Sequence, residues 1–87
     1  MNNREGADRM TTKEAVERAQ GIKKKLAERV FEIKADYTYV YGVISHLETD
    51  EECQLVLDYI DEHPDVHIST LLLLSLQLKR DREHADE

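Results

Sequence analysis

The sequence predicts an all-α protein: one long amphipathic helix followed by a helical hairpin, a three-helix, coiled-coil-like arrangement completed by dimerisation. Three observations carry that expectation. Apolar residues recur at alternating spacings of three and four from Val16 to Leu47, two capping boxes precede apolar runs, and a leucine-rich segment lies near the end. At 87 residues the chain makes one domain at most, with a modest core, so a partner is expected to contribute to its stability.

Residues 1–11 are polar and aperiodic and are expected to be disordered, with Met10 an alternative start. Thr11 followed by Glu14 is a capping-box pattern, which places a helix start at Thr12. That helix runs over about 12–48. Its stripe is Val16, Ala19, Lys23, Leu26, Val30, Ile33, Tyr37, Val40, Ile44 and Leu47, with Lys23 the one polar interruption. Gly21 and Gly42 fall on the side remote from the stripe, where each costs only its propensity, about 1 kcal/mol. Residues 37–44 are also rich in β-formers. Their one plausible strand partner is the short stretch 66–68, and a lone two-stranded ribbon is marginal in water, so helix is the stronger reading.

Thr49 with Glu52 forms a second capping box, and Asp50, Glu51 and Glu52 set negative charge at the positive end of a helix dipole. The second helix, 50–62, presents Cys53, Val56, Leu57 and Ile60 on one face and stops ahead of Pro64, which disfavours helical geometry at His63. A third, 66–82, capped by Asp65 or Ser69, carries Ile68, Leu71, Leu72, Leu73, Leu74, Leu76 and Leu78. Four consecutive leucines at 100° per residue sweep most of a helix circumference, so this helix must be covered on several sides. The single domain is therefore 12–82, with 83–87 an expected disordered tail.

At 1.5 Å per residue the first helix would be about 55 Å long and the other two about 20 and 25 Å. They can cover half of it. Val16, Ala19, Leu26, Val30 and Ile33, with Leu72 and Leu76 of the third helix, are therefore the expected oligomer interface of a homodimer, with a different protein as the alternative partner. A parallel in-register coil would set Arg29 against Lys34 of the other chain, so an antiparallel or four-helix arrangement fits better.

The net charge of −7 opposes general attraction to nucleic acid, but it is unevenly spread. Residues 1–34 hold nine Lys/Arg and six acids, net +3; residues 35–78 hold nine acids and no Lys or Arg, net −9. Lys23, Lys24 and Lys25 form the centre of the one basic cluster and, with Phe31 and Tyr39, the candidate partner surface. The third helix carries leucine where a DNA-recognition helix needs Arg, Asn or Gln for base edges.

No Gly-rich phosphate loop, Ser-centred elbow or HExxH appears, so neither an enzyme nor a cofactor is expected. His63 and His67, with His46 and Cys53, have the residue types of a zinc site. Pro64 and Asp65 interrupt the same-face geometry of the pair, and ordinary turn histidines are the better reading. Cys53 reads as a buried, inert thiol, and the acidic cluster of the second helix lacks the spacing and glycine of an EF-hand. A single cysteine and the lack of an apolar leader point to the cytoplasm, and the longest apolar run, Leu71 to Leu74, is too short to span a membrane. The functional expectation is a small interaction protein, a regulator, inhibitor or adaptor. The alternatives are a nucleic-acid accessory protein using the basic arm and an acidic mimic of nucleic acid.

Overall fold

A computed structural model describes residues 12–85, and every regular element in that span is a helix. In order these are α1 (Thr12–Glu17), α2 (Gly21–Ile33), α3 (Tyr37–Ser45), α4 (Asp50–Glu62) and α5 (Ile68–Ala85). The segment 1–11, with the Thr11 half of the first capping box, lies outside the described residues, as do 86 and 87.

The single helix expected over 12–48 is three helices, and the breaks have local causes. At the first, the Ala19 N–H bonds to the Val16 carbonyl at 3.1 Å, Gln20 is extended, and Gly21 takes a left-handed φ of 64°. A β-carbon would be strained there, so glycine lets α2 set off in a new direction. At the second, Lys34 and Asp36 are extended and the Asp36 carboxylate accepts the Thr38 N–H at 2.9 Å, capping α3. The stretch 37–44, with its strand-like composition, is thereby helix α3.

Breaking the helix lets its stripe fold onto itself. Val16, Leu26 and Val30 sit in the core at 7, 0 and 0 % exposure, with Ala19 and Ile33 half-buried against it. This corrects the expectation that Val16, Leu26 and Val30 await a second copy, since α3 and α4 of the same chain cover the α1–α2 stripe there; Ala19 and Ile33 keep part of their surface exposed. A straight helix of that length has no such partner within the chain; a folded one does.

α3 is the hub, touching α1, α2 and α5, while α4 touches α2 and α5. Arg29 Nη1 meets Asp61 at 3.0 Å while the Lys23 charge reaches Cys53, so α2 and α4 run in the same direction. Arg82 meets Glu52, and Thr70 shares a cleft with Tyr59, so α4 and α5 run antiparallel. α5 lies along α3 with Leu72 against Gly42 and Ser75 against His46. A β-carbon on Gly42 would sit 3.0 Å from Leu72 Cδ2, so this glycine is a point of close helix approach and not the bystander its place in the heptad implies.

α5 also departs from expectation at both ends. Its cap is His67, whose carbonyl accepts the Thr70 and Leu71 N–H groups and whose Nδ1 accepts the Ser69 N–H at 3.2 Å, replacing the expected Asp65 or Ser69. The helix then continues to Ala85, through residues assigned by composition to a disordered tail. A Gln77–Asp81 side-chain bond at 2.8 Å and the Arg82 cation near the negative end of the dipole support that extra turn.

Candidate interaction surface

A polar node fixes the orientation of α5 and so decides which residues remain outside. The Arg82 guanidinium donates to the Glu52 carboxylate and, through Nη2, to the His46 carbonyl at 3.1 Å, with Nε 3.5 Å from Glu48. The same Glu52 oxygen accepts the Glu48 N–H at 2.8 Å and the Thr49 N–H at 3.4 Å, while Thr49 Oγ1 accepts the Glu52 N–H at 3.1 Å. One carboxylate thus closes the capping box and anchors the far end of α5. Burial by itself would raise the Glu52 pKa; the bonds from Glu48 N–H, Arg82 and Thr49 N–H, with the Arg82 charge, outweigh it and hold the carboxyl below its ordinary value.

Beside this node Ser75 is fully buried, and its hydroxyl donates to the Leu72 carbonyl at 2.9 Å. That uses its one proton, so the 3.0 Å contact to His46 is donated by the imidazole Nδ1–H. Burial, and then the nearby Lys79 charge, lowers the His46 pKa below its ordinary 6.5, which favours the neutral ring.

With α5 so held, two leucines face outward. Leu55 on α4 is 54 % exposed and Leu73 on α5 is 67 % exposed, whereas every other leucine of the chain is buried or half-buried. Both lie roughly 160° around their helices from the buried sides, marked by Leu57 and Ser75. Leu76, the half-buried neighbour of Leu73 at i+3, borders this face; Leu72 turns to Gly42. Leu55 is surrounded on its helix by exposed Glu51, Asp58 and Glu62, and Leu73 and Leu76 by exposed Ser69, Gln77, Arg80 and Glu83. Helical spacing alone puts Leu55 off the Cys53, Val56, Leu57 and Ile60 face. Which of the consecutive leucines stays uncovered is set by the node.

The other expected surface residues do not converge. Phe31 is half-buried and packs on Tyr37 with ring centroids 4.8 Å apart, while Tyr39 is exposed with Lys34 Nζ 5.6 Å over its ring. Tyr41 is also exposed, at 43 %. Lys23 is half-buried; Lys24 and Lys25 are exposed, and Lys24 shares an open groove with Glu17, Glu28 and Glu32.

The histidine pair serves the α4–α5 turn. His63 stacks on Tyr59 at 4.1 Å and donates from Nδ1 to the Tyr59 carbonyl at 3.1 Å, while His67 uses Nδ1 as an acceptor to cap α5. Among the described residues no group of three or more His, Cys, Asp or Glu is placed to hold a metal ion. Cys53 is buried, and burial pushes its thiol pKa up; Lys23 opposes the rise, and Asp50 and Glu52 add to it. No helix of the described residues is long and apolar enough to cross a membrane.

No protein-family model, curated protein or solved structure matches the chain.

Proposed function

We propose that this chain is a small non-enzymatic protein–protein interaction module, a regulator, inhibitor or adaptor, that works as a homodimer. The observation that carries the reading is the outward exposure of Leu55 and Leu73 on adjacent helices, in a chain whose other leucines are buried or half-buried. Leucines at such exposure gain from burial against a second protein surface. The apolar stripe of α1 and α2 no longer supplies that surface, since its own chain covers it.

Light scattering at about 0.1 and 1 M salt tests the reading, because the Debye length falls from about 10 to 3 Å over that range while apolar burial is unscreened. A mass of two chains that resists salt supports it. A mass of one chain at every concentration overturns the homodimer.

A second reading, a nucleic-acid accessory role, draws on the exposure of Lys24 and Lys25, neither of which forms an ion pair among the described residues. It calls for binding to a DNA or RNA duplex that weakens steeply with salt. The three glutamates around the Lys24 groove work against it.

A further inference from the structure

We propose that the groove between the end of α1, the first turn of α2 and the last turn of α3 binds a small phosphate monoester carrying an aromatic ring, a molecule of mononucleotide size, whether or not two copies of the chain associate.

The chain's first turn assembles the groove. Arg18, just past α1, and Lys23, in the first turn of α2, lie on either side of the Gly21 break and line one groove of about 390 Å³. Tyr41 and Ser45, four apart on the same side of α3, line it from across, and Ala19 and Ile44 supply apolar walls. Small-molecule sites span about 300 to 1,000 Å³, so this one suits a ligand at the small end.

Charge selects the ligand. The chain carries 19 acids against 12 Lys and Arg, yet no carboxylate lines this groove. The groove beside Phe31, by contrast, sets Glu17, Glu28 and Glu32 around Lys24. Lys13, Arg29 and Arg82 each have a carboxylate partner, whereas Arg18 and Lys23 form no ion pair among the described residues. Neighbouring acids are engaged: Glu17 pairs with Lys13 at 4.0 Å, Glu48 lies 3.5 Å from Arg82, and Glu14 has an interaction of its own. On α4, Asp50 and Glu52 act with Lys23 on Cys53, and neither lines the groove.

Two unpaired cations match a phosphate monoester, with a charge of about −1.5 to −2 at pH 7, better than a carboxylate with a single charge. The arginine fork and the lysine point charge bind phosphate oxygens in complementary ways. The Ser45 hydroxyl, held only by a 3.4 Å bond to the Gly42 carbonyl, can turn its proton to the same group. Exposed Tyr41 offers a ring on which an aromatic body stacks.

Amide chemical-shift titration of the full chain at about 50 mM salt tests the site, with adenosine monophosphate, inorganic phosphate and adenosine as separate probes. The expected result is saturable shifts centred on residues 18–23 and 41–45 with adenosine monophosphate, at a Kd of about 0.1 to 1 mM, as suits a groove open to solvent. Inorganic phosphate and adenosine should each bind at least about tenfold more weakly. Arg18→Gln and Lys23→Gln should each raise the Kd for adenosine monophosphate about fivefold with helical circular dichroism unchanged. Arg18 is exposed, so its variant carries the test should Lys23→Gln lose helicity. Tyr41→Leu should raise the same Kd about fivefold while leaving the weak binding of inorganic phosphate as it was. No saturable shift up to about 10 mM overturns the site, as do shifts centred on Lys24 and Lys25 that Arg18→Gln leaves unaltered. Equal affinity for inorganic phosphate and adenosine monophosphate overturns the aromatic ligand.

Discussion

The two halves of this chain treat their apolar residues differently. From Val16 to Leu47, a continuous heptad stripe is folded back by two short breaks; Val16, Leu26, Val30, Val40, Ile44 and Leu47 end buried in one core, with Ala19, Ile33 and Tyr37 packed half-buried against it. From Asp50 to Ala85, the hairpin keeps its inner side in the same core yet leaves Leu55 and Leu73 in solvent. The N-terminal stripe has the pattern of an interface, and its central residues are core; the hairpin's scattered leucines have the pattern of a core and include the two most exposed leucines of the chain. Periodicity states which residues share a face, while what that face meets depends on where the chain turns.

The sharpest way to break this comparison is Leu26→Asp. If Leu26 lay on a dimer stripe, the variant would be a folded monomer. As a fully buried residue it should instead unfold the chain, since an unpaired carboxylate in the core costs several kcal/mol, comparable with the whole stability of a small domain. A cooperative thermal transition retained near the wild-type temperature would contradict the fold. Leu73→Ser gives the contrast, with a change within about 0.5 kcal/mol for the monomer measured at low concentration.

Next in size is Gly42→Leu. Its side chain would occupy the space of Leu72 Cδ2 and push α5 off α3, costing about 1–3 kcal/mol in a urea titration. A neutral result would mean the two helices are not in close contact at that point.

Arg82→Ala should cost about 1–3 kcal/mol, since it removes the charged donor to a mostly buried Glu52 and to the His46 carbonyl. Amide hydrogen exchange should then speed up selectively at the end of α5, while α2 and α3 stay protected.

The smallest effect is the pH response of the node. His46 and Glu52 both have folded pKa values below their ordinary 6.5 and 4.5. The unfolded chain therefore takes up these protons first, and stability falls as pH drops below 6.5 and falls again below 4.5. Thermal midpoints between pH 8 and 5 should decline, and His46→Gln should flatten the upper part of that decline. An unchanged profile in the variant would remove His46 from the node.

Local chemistry was readable wherever a few adjacent residues settle the outcome. The Thr49–Glu52 capping box, the limits of α4, the break ahead of Pro64 and the inert burial of Cys53 all depend on short-range bonding or on one helix face. Asp36 carried a readable cap signal as well, hidden because the heptad ran through it without a gap. The all-helical character followed from apolar spacing, since the same spacing serves one long helix or three short ones.

That ambiguity marks the boundary between the two kinds of information. Residue order sets each helix's faces, because side-chain direction repeats every 3.6 residues wherever the helix lies. It does not set which faces meet. Whether Leu26 faces a second copy or α4, and whether Leu72 or Leu73 is left in water, turns on Gly21 and Lys34–Asp36 reversing the chain and on Arg82 reaching Glu52. The Arg82 contacts join residues that are 30 or more positions apart, and their free energy exists only once the helices have docked.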